Sequence, residues 1–450
     1  MTEKTLIKNA KMVNEGATRE GDLLIGNGRI AKIADSISAD DSMRVIDADG
    51  AFLLPGMIDD QVHFREPGLT WKAGIWSESR AAAAGGITSF MEMPNTNPAT
   101  VTLDALEEKY AIGAQKSLVN YSFYLGATND NLDVIRSLQP GMAAGIKIFM
   151  GASTGNMLVD NQETLTGVFR DAPALIATHC EFDPLIKQNL NAALERYGHE
   201  IPLTEHPNIR SAEACYQSTQ MAMSLSREFH APLHVLHLTT AREMELFEPG
   251  PIGGKLITGE VCVHFLHFSA DDYPRLGNRI KCNPAIKTAA DRQALLKALQ
   301  DGRLDIIATD HAPHTKDEKA STDYLKAPAG LPLVQDALLS VLELYHDGLI
   351  SLEEIVNRTA HNVARRFHVA DRGYLREGYW ADLVIVDPEA PTEVTPQRVL
   401  SKCGWSPFEG ETFRSSIVTT IVNGQPVWDA GQIVEAGSAA RLQFGKQREL

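Results

Sequence analysis

The chain carries two kinds of hydrophobic pattern. Residues 5–9, 21–25, 29–33 and 44–47 are short apolar–polar runs separated by turns such as Gly26-Asn27-Gly28, and residues 378–387, 416–425 and 426–429 repeat that grammar near the other end. Such runs predict strands joined by tight turns. Between them, eight apolar runs (residues 56–64, 88–94, 119–126, 145–151, 173–180, 232–238, 256–265 and 305–313) alternate with helix-length segments, among them 72–84, 103–116, 210–228 and 291–299. This alternation predicts an α/β fold with parallel strands, and eight units favour a closed (β/α)8 TIM-type barrel over an open sheet. Residues 55–370 are expected to form the barrel. Residues 1–54 and 371–450 are expected to meet in one small β domain.

In such barrels chemistry sits at the C-terminal ends of the strands, where the polar exceptions to the pattern fall. The first run lies in residues 55–68, Pro-Gly-Met-Ile-Asp-Asp-Gln-Val-His-Phe-Arg-Glu-Pro-Gly. Strict alternation along a strand places Asp59, Gln61, His63 and Arg65 on one face and sends Asp60 into the helical layer. Asp59, farther from the strand's end, suits a supporting role. Lys147 interrupts the apolar run Ile146-Lys147-Ile148-Phe149. Burial lowers a lysine's pKa, and the neutral amine can take up carbon dioxide as a carbamate, an anionic arm suited to bridging metal ions. His179, His237 and Asp310 close the fifth, sixth and eighth runs. Imidazoles and a carboxylate gathered at one barrel mouth are a donor set for catalytic zinc. His234, three residues before His237, is expected to face the other way and to be structural, as are His264, His267 and His311.

Composition narrows the partners. With 44% hydrophobic and 22% charged residues the chain has the profile of a soluble globular protein. Its net charge of −16 argues against nucleic acid or an anionic membrane as partner. A site for an anionic substrate must then be locally positive. Five cysteines without CxxC spacing read as reduced thiols of a cytoplasmic protein. The N-terminal residues lack the pattern of a signal peptide, and no apolar run approaches the ~20 residues of a membrane span.

Residues 55–68, Lys147 and the run Thr309-Asp310-His311-Ala312-Pro313-His314 resemble the amidohydrolase superfamily. Arg65-Glu66-Pro67-Gly68 and the Thr309–His314 run are similar to its dihydroorotase branch. The likeness covers nearly the whole chain, including residues 403–408 and the Asn423-Gly424 turn. It implies a barrel with a small β-sandwich domain and a homo-oligomeric hydrolase of pyrimidine biosynthesis. That enzyme would interconvert dihydroorotate and N-carbamoyl-L-aspartate. It further implies one or two zinc ions held by His63, His179, His237, Asp310 and a carbamate on Lys147. Asp310 would be the general base, then acid, working with a metal-activated hydroxide. Arg65, Asn95, Asn283 and His314 would contact the substrate, with the backbone of residues 328–332 against its ring.

One position departs from the family. Where the family carries His-x-His this chain has Gln61-Val62-His63. An amide oxygen is a poorer zinc ligand than imidazole, so Gln61 is expected to weaken one metal position. Two rival readings stay open. Another cyclic amidohydrolase, of hydantoinase or allantoinase type, fits Lys147 equally but Arg65-Glu66-Pro67-Gly68 and Asn283 less well. An inactive, partner-binding barrel fits only the loss of one ligand.

Overall fold

The computed structural model describes residues 4–151 and 157–445. Strands from both ends of the chain join in one nine-stranded sheet. Lys4–Asn14 (β1) pairs antiparallel with Ala17–Gly26 (β2), and β2 with Arg29–Ala34 (β3). Met43–Asp47 (β4) and Phe52–Pro55 (β5) lie parallel to β1. Leu383–Asp387 adds to β5 antiparallel, and Ser416–Val422, Gln425–Asp429 and Gln432–Ile433 extend that side. The β2–β3 turn has both central residues left-handed, Asn27 at φ 53° and Gly28 at φ 77°, the geometry that suits tight hairpins. Alternation divides the sheet cleanly. Phe52, Leu54, Val384 and Val386 enter the main core, whereas Leu53, Leu383 and Ile385 enter a second core on the sheet's other face.

The central strands run parallel in two arcs. Met57–Val62 (β6), Ile87–Glu92 (β7) and Asn120–Phe123 (β8) form the first. Leu125–Gly126 (β9), Ile146–Phe149 (β10), Ile176–His179 (β11), Leu233–Val235 (β12), Ile257–Cys262 (β13) and Ile306–Ala308 (β14) form the second. Only Tyr124 separates β8 from β9, and its N–H donates to Glu92 O at 3.0 Å. At the other seam Val62 and His311 form a parallel bridge, and His63 N–H donates to His311 O at 2.7 Å.

The expected helices are present as Ile75–Ala84, Leu103–Lys116, Ala212–Phe229 and Ala289–Asp301. Their starts follow capping chemistry: Ser211 accepts from Ala214 N–H, and Thr288 and Asp291 form a reciprocal capping box two residues ahead of the apolar pattern. The run 256–265 divides into β13 and the short helix Val263–His267. The run 305–313 keeps strand geometry only to Ala308, because Asp310 turns left-handed at φ 51°.

The first barrel strand corrects the simple alternation. Its register against β7 shifts between Met57 and Ile58 and again between Asp59 and Val62. Such an irregularity locally breaks the strict alternation of faces. Asp60, expected in the helical layer, instead lies fully buried with its Oδ2 at 3.2 Å from His234 Nε2. β6 and β12 are not neighbours, so these two side chains meet across the interior. His234 therefore also faces inward, contrary to its expected outward direction. Asp59 holds the adjacent strand end, accepting from Thr309 Oγ1 at 2.6 Å and Thr309 N at 3.2 Å.

Candidate active site

All ten singled-out side chains line one cavity of about 220 Å³: Gln61, His63, Arg65, Asn95, Lys147, His179, His237, Asn283, Asp310 and His314. Phe149 and the loop Pro328-Ala329-Gly330 complete it. The expected structural histidines are absent from this lining. His311 Nε2 pairs with Glu78 at 2.9 Å and His267 with Glu411 at 3.0 Å, while His264 is buried beside Phe265.

Three cavity residues sit in left-handed backbone: Arg65 (φ 68°), His237 (φ 42°) and Asp310 (φ 51°). Each such conformation costs ~1–3 kcal/mol for a residue other than glycine and persists only where neighbours hold it. At His237 the holder is Glu260, whose Oε1 accepts the His237 N–H at 3.0 Å.

The nitrogen and oxygen donors fall into two pairs. His63 Nε2 lies 3.1 Å from Asp310 Oδ1, while its Nδ1 bonds Asn95 Oδ1 at 2.8 Å. The rings of His179 and His237 are 4.6 Å apart, and His179 Nε2 bonds Glu181 Oε2 at 2.9 Å. Lys147, 1% exposed, acts electrostatically on both pairs, and among the described residues its ammonium has no hydrogen-bond or ion-pair partner. Burial holds its pKa down at about 8 against the pull of Asp310 and Glu260. Burial likewise lowers His63 and His179, and it lowers His237 well below the usual imidazole range, helped there by His179 and Lys147. Three neutral imidazoles result, the form that binds metal.

Gln61 turns its amide nitrogen to Asp310, donating to Oδ1 at 3.2 Å, while its oxygen lies 3.8 Å from Cys262 Sγ. In this orientation it acts as a hydrogen-bond donor to the carboxylate. The remaining donors, neutral imidazoles and one carboxylate, still fit a metal such as zinc.

Sequence reasoning missed several supporting residues. Glu181 is fully buried and bonded by both His179 and Arg210. Burial would raise its pKa, but Arg210 and His179 outweigh it and bring it to about 2. Its anion fixes His179 with Nδ1 as the free lone pair. Spacing held a signal, since Glu181 follows His179 by two at a strand end. Glu260 and Lys72, which contacts His314 Nδ1 at 2.9 Å, come from distant segments and carried none. Glu181→Gln should weaken zinc binding ~10–100-fold, as loss of a ligand-orienting carboxylate does. Competitive chelator titration checks this, and unchanged affinity would leave Glu181 a purely structural role.

Comparison with known proteins places this arrangement. The model of the Amidohydrolase family matches residues 52–427. The chain belongs to the amidohydrolase family. Its amidohydrolase relatives include a dihydroorotase of Halobacterium salinarum, 35% identical over 432 residues, covering 92% of this chain and 96% of that one. An allantoinase of Bacillus velezensis is 32% identical over 443 residues, 97% of each chain. Among solved structures, the L-hydantoinase (dihydropyrimidinase) from Arthrobacter aurescens superposes with a TM-score of 0.92 at 28% identity, covering 98% of this chain and 100% of that one. The chain thus falls among the cyclic amidohydrolases, hydrolases of a family that is generally metal-dependent. No described helix is long and apolar enough to cross a membrane.

Proposed function

We propose that this amidohydrolase is a zinc-dependent dihydroorotase that opens dihydroorotate to N-carbamoyl-L-aspartate and closes it in the biosynthetic direction. The observation that carries this reading is Arg65. Arg65 is 7% exposed and lines the cavity, and its guanidinium reaches only Pro313 O (3.2 Å) and His314 Nε2 (3.2 Å), with no carboxylate in ion-pair range among the described residues. A buried, unpaired cation favours an anionic guest. Dihydroorotate supplies a carboxylate, whereas hydantoin and allantoin do not. The Asn283 Oδ1 is a buried acceptor without a hydrogen-bond partner among the described residues, suited to a ring N–H.

On this reading His63, His179, His237, Asp310 and a carbamate on Lys147 would hold one or two zinc ions. Zinc there supplies Lewis acidity toward the scissile amide and a water made acidic near neutral pH. Asp310 takes the proton of the attacking water and returns it to the leaving nitrogen. Gln61 donates to its Oδ1, which leaves Oδ2 for that transfer. Arg65, with His314 and the Asn95 amide, orients the substrate carboxylate, and residues 328–330 wall off the ring. We read the two strand arcs as one closed (β/α)8 barrel spanning residues 55–370, flanked by the β domain of 1–54 and 371–450. We also expect the enzyme to be cytoplasmic and to assemble with copies of itself.

A second reading, allantoinase or hydantoinase, is favoured by the allantoinase of Bacillus velezensis and by the hydantoinase superposition. Turnover of dihydroorotate, allantoin and hydantoin measured side by side separates the readings. Preference for either neutral ring overturns ours. Arg65→Lys keeps the charge but loses the fork, so kcat/KM for dihydroorotate should fall by ~1–3 kcal/mol in transition-state terms with zinc content unchanged. Loss of zinc with unaltered substrate affinity would mean Arg65 serves the metals.

Gln61 predicts an asymmetric pair of metal positions. Zinc should stay bound through dialysis at the position served by His179, His237 and Lys147, while the position beside His63 should empty. Gln61→His should raise occupancy there. Metal titration of both proteins checks this; two ions retained by the native enzyme would show that Gln61 is no handicap.

A further inference from the structure

A second polar cluster lies inside the ring of strands and takes no part in the proposed chemistry. Asp60 on β6, His234 on β12 and Glu260 on β13 are each 0% exposed, with one donor atom from each lying within 4.8 Å of the others. His234 Nδ1 is engaged by Thr258 Oγ1 at 2.8 Å, and that hydroxyl reaches Leu233 O at 3.4 Å. The His234 Nε2 faces Asp60 Oδ2 at 3.2 Å and Glu260 Oε2 at 3.4 Å. Both separations exceed the ~2.7–2.9 Å of a charge-assisted hydrogen bond. They match instead the roughly 3.3 Å between donor atoms bound tetrahedrally to one ion at ~2.0 Å.

A further sign points to a ligand. Neither carboxylate oxygen of Asp60 meets hydrogen-bond geometry with a described residue, its approach to His234 Nε2 at 3.2 Å being an ion-pair contact. A fully buried carboxylate held this loosely is costly and favours a cation beside it.

We propose that Asp60, His234 and Glu260 form a structural site for one divalent cation, separate from the cavity above it. One imidazole and two carboxylates suit an ion of intermediate hardness, zinc or manganese. Glu260 gives its other oxygen to the His237 N–H, so the ion braces the left-handed turn that carries His237 into the cavity. With all three side chains closed off from solvent, the ion enters during folding and does not exchange afterwards.

Anomalous diffraction from crystals of the whole protein, expressed with zinc and manganese and recorded at both absorption edges, tests this directly. A peak between the three side chains is expected. A map with peaks only in the cavity, or with a water between the three side chains, overturns the site. In solution, a His179→Ala/His237→Ala variant dialysed against EDTA should retain one ion per chain and release it only on unfolding in guanidinium. Adding Asp60→Asn should abolish that ion. A metal-free double variant overturns the proposal, and if the triple variant does not fold the diffraction map decides alone. None of these readouts depends on turnover, so they stand apart from the test of the catalytic reading.

Discussion

Lys147→Ala should remove metal retention and turnover together, with kcat/KM falling on the order of 10³-fold or more, about 4 kcal/mol. The expectation rests on three properties of one side chain. Lys147 is buried, it interacts electrostatically with both donor pairs, and its ammonium lies 4.6 Å from the Phe149 ring centroid but has no hydrogen-bond or ion-pair partner among the described residues. An unpaired buried cation is costly. With its pKa held at about 8 by burial, the neutral amine is accessible near neutral pH. On the proposed reading that amine would add carbon dioxide and release a proton, giving a carbamate anion for the metal ions the flanking imidazoles would hold. Electron density of the metal-loaded enzyme is the direct check, because the adduct is lost on denaturation. A bare amine at full metal occupancy would refute the carbamate, and retention of metal by Lys147→Ala would refute its role as a ligand.

Asp310→Asn should be the next most severe change, lowering kcat by ~10²–10⁴-fold, the usual range for a lost general acid–base group. The substitution keeps the shape but removes the carboxylate that accepts from Gln61 and faces His63 Nε2. Zinc held by His179, His237 and Lys147 should stay, which separates loss of proton transfer from loss of metal. Rates measured across pH at saturating zinc test this. A variant within tenfold of the native enzyme, with an unchanged pH profile, would move the proton-transfer role to another residue.

Much of this site was legible in the chain because its residues stand out from apolar surroundings. A lysine inside Ile146-Lys147-Ile148-Phe149, and histidines closing the fifth and sixth runs, break a pattern that otherwise has no use for charge. Strand–helix alternation then carries those breaks to one end of the fold, and ten of ten named side chains line the same cavity. The nine-stranded sheet uniting the two ends was likewise foreshadowed by matching turn-and-strand grammar.

What the chain did not reveal depends on register and on contacts between distant segments. The irregularity between Asp59 and Val62 is set by how β6 pairs with β7, and no count of residues along one strand exposes it. That shift turned Asp60 inward and made it meet His234 and Glu260 across the interior. The same holds for Glu260 under the His237 backbone and Lys72 beside His314, which come together only when separate strands and loops pack. Residue type and spacing alone determined which groups could do chemistry, because chemistry belongs to side chains. Tertiary structure decided which nitrogen of His63 and His179 faces the cavity, which end of Gln61 meets Asp310, and which carboxylates stay behind as support, because those choices are made by hydrogen bonds to residues far away in the chain.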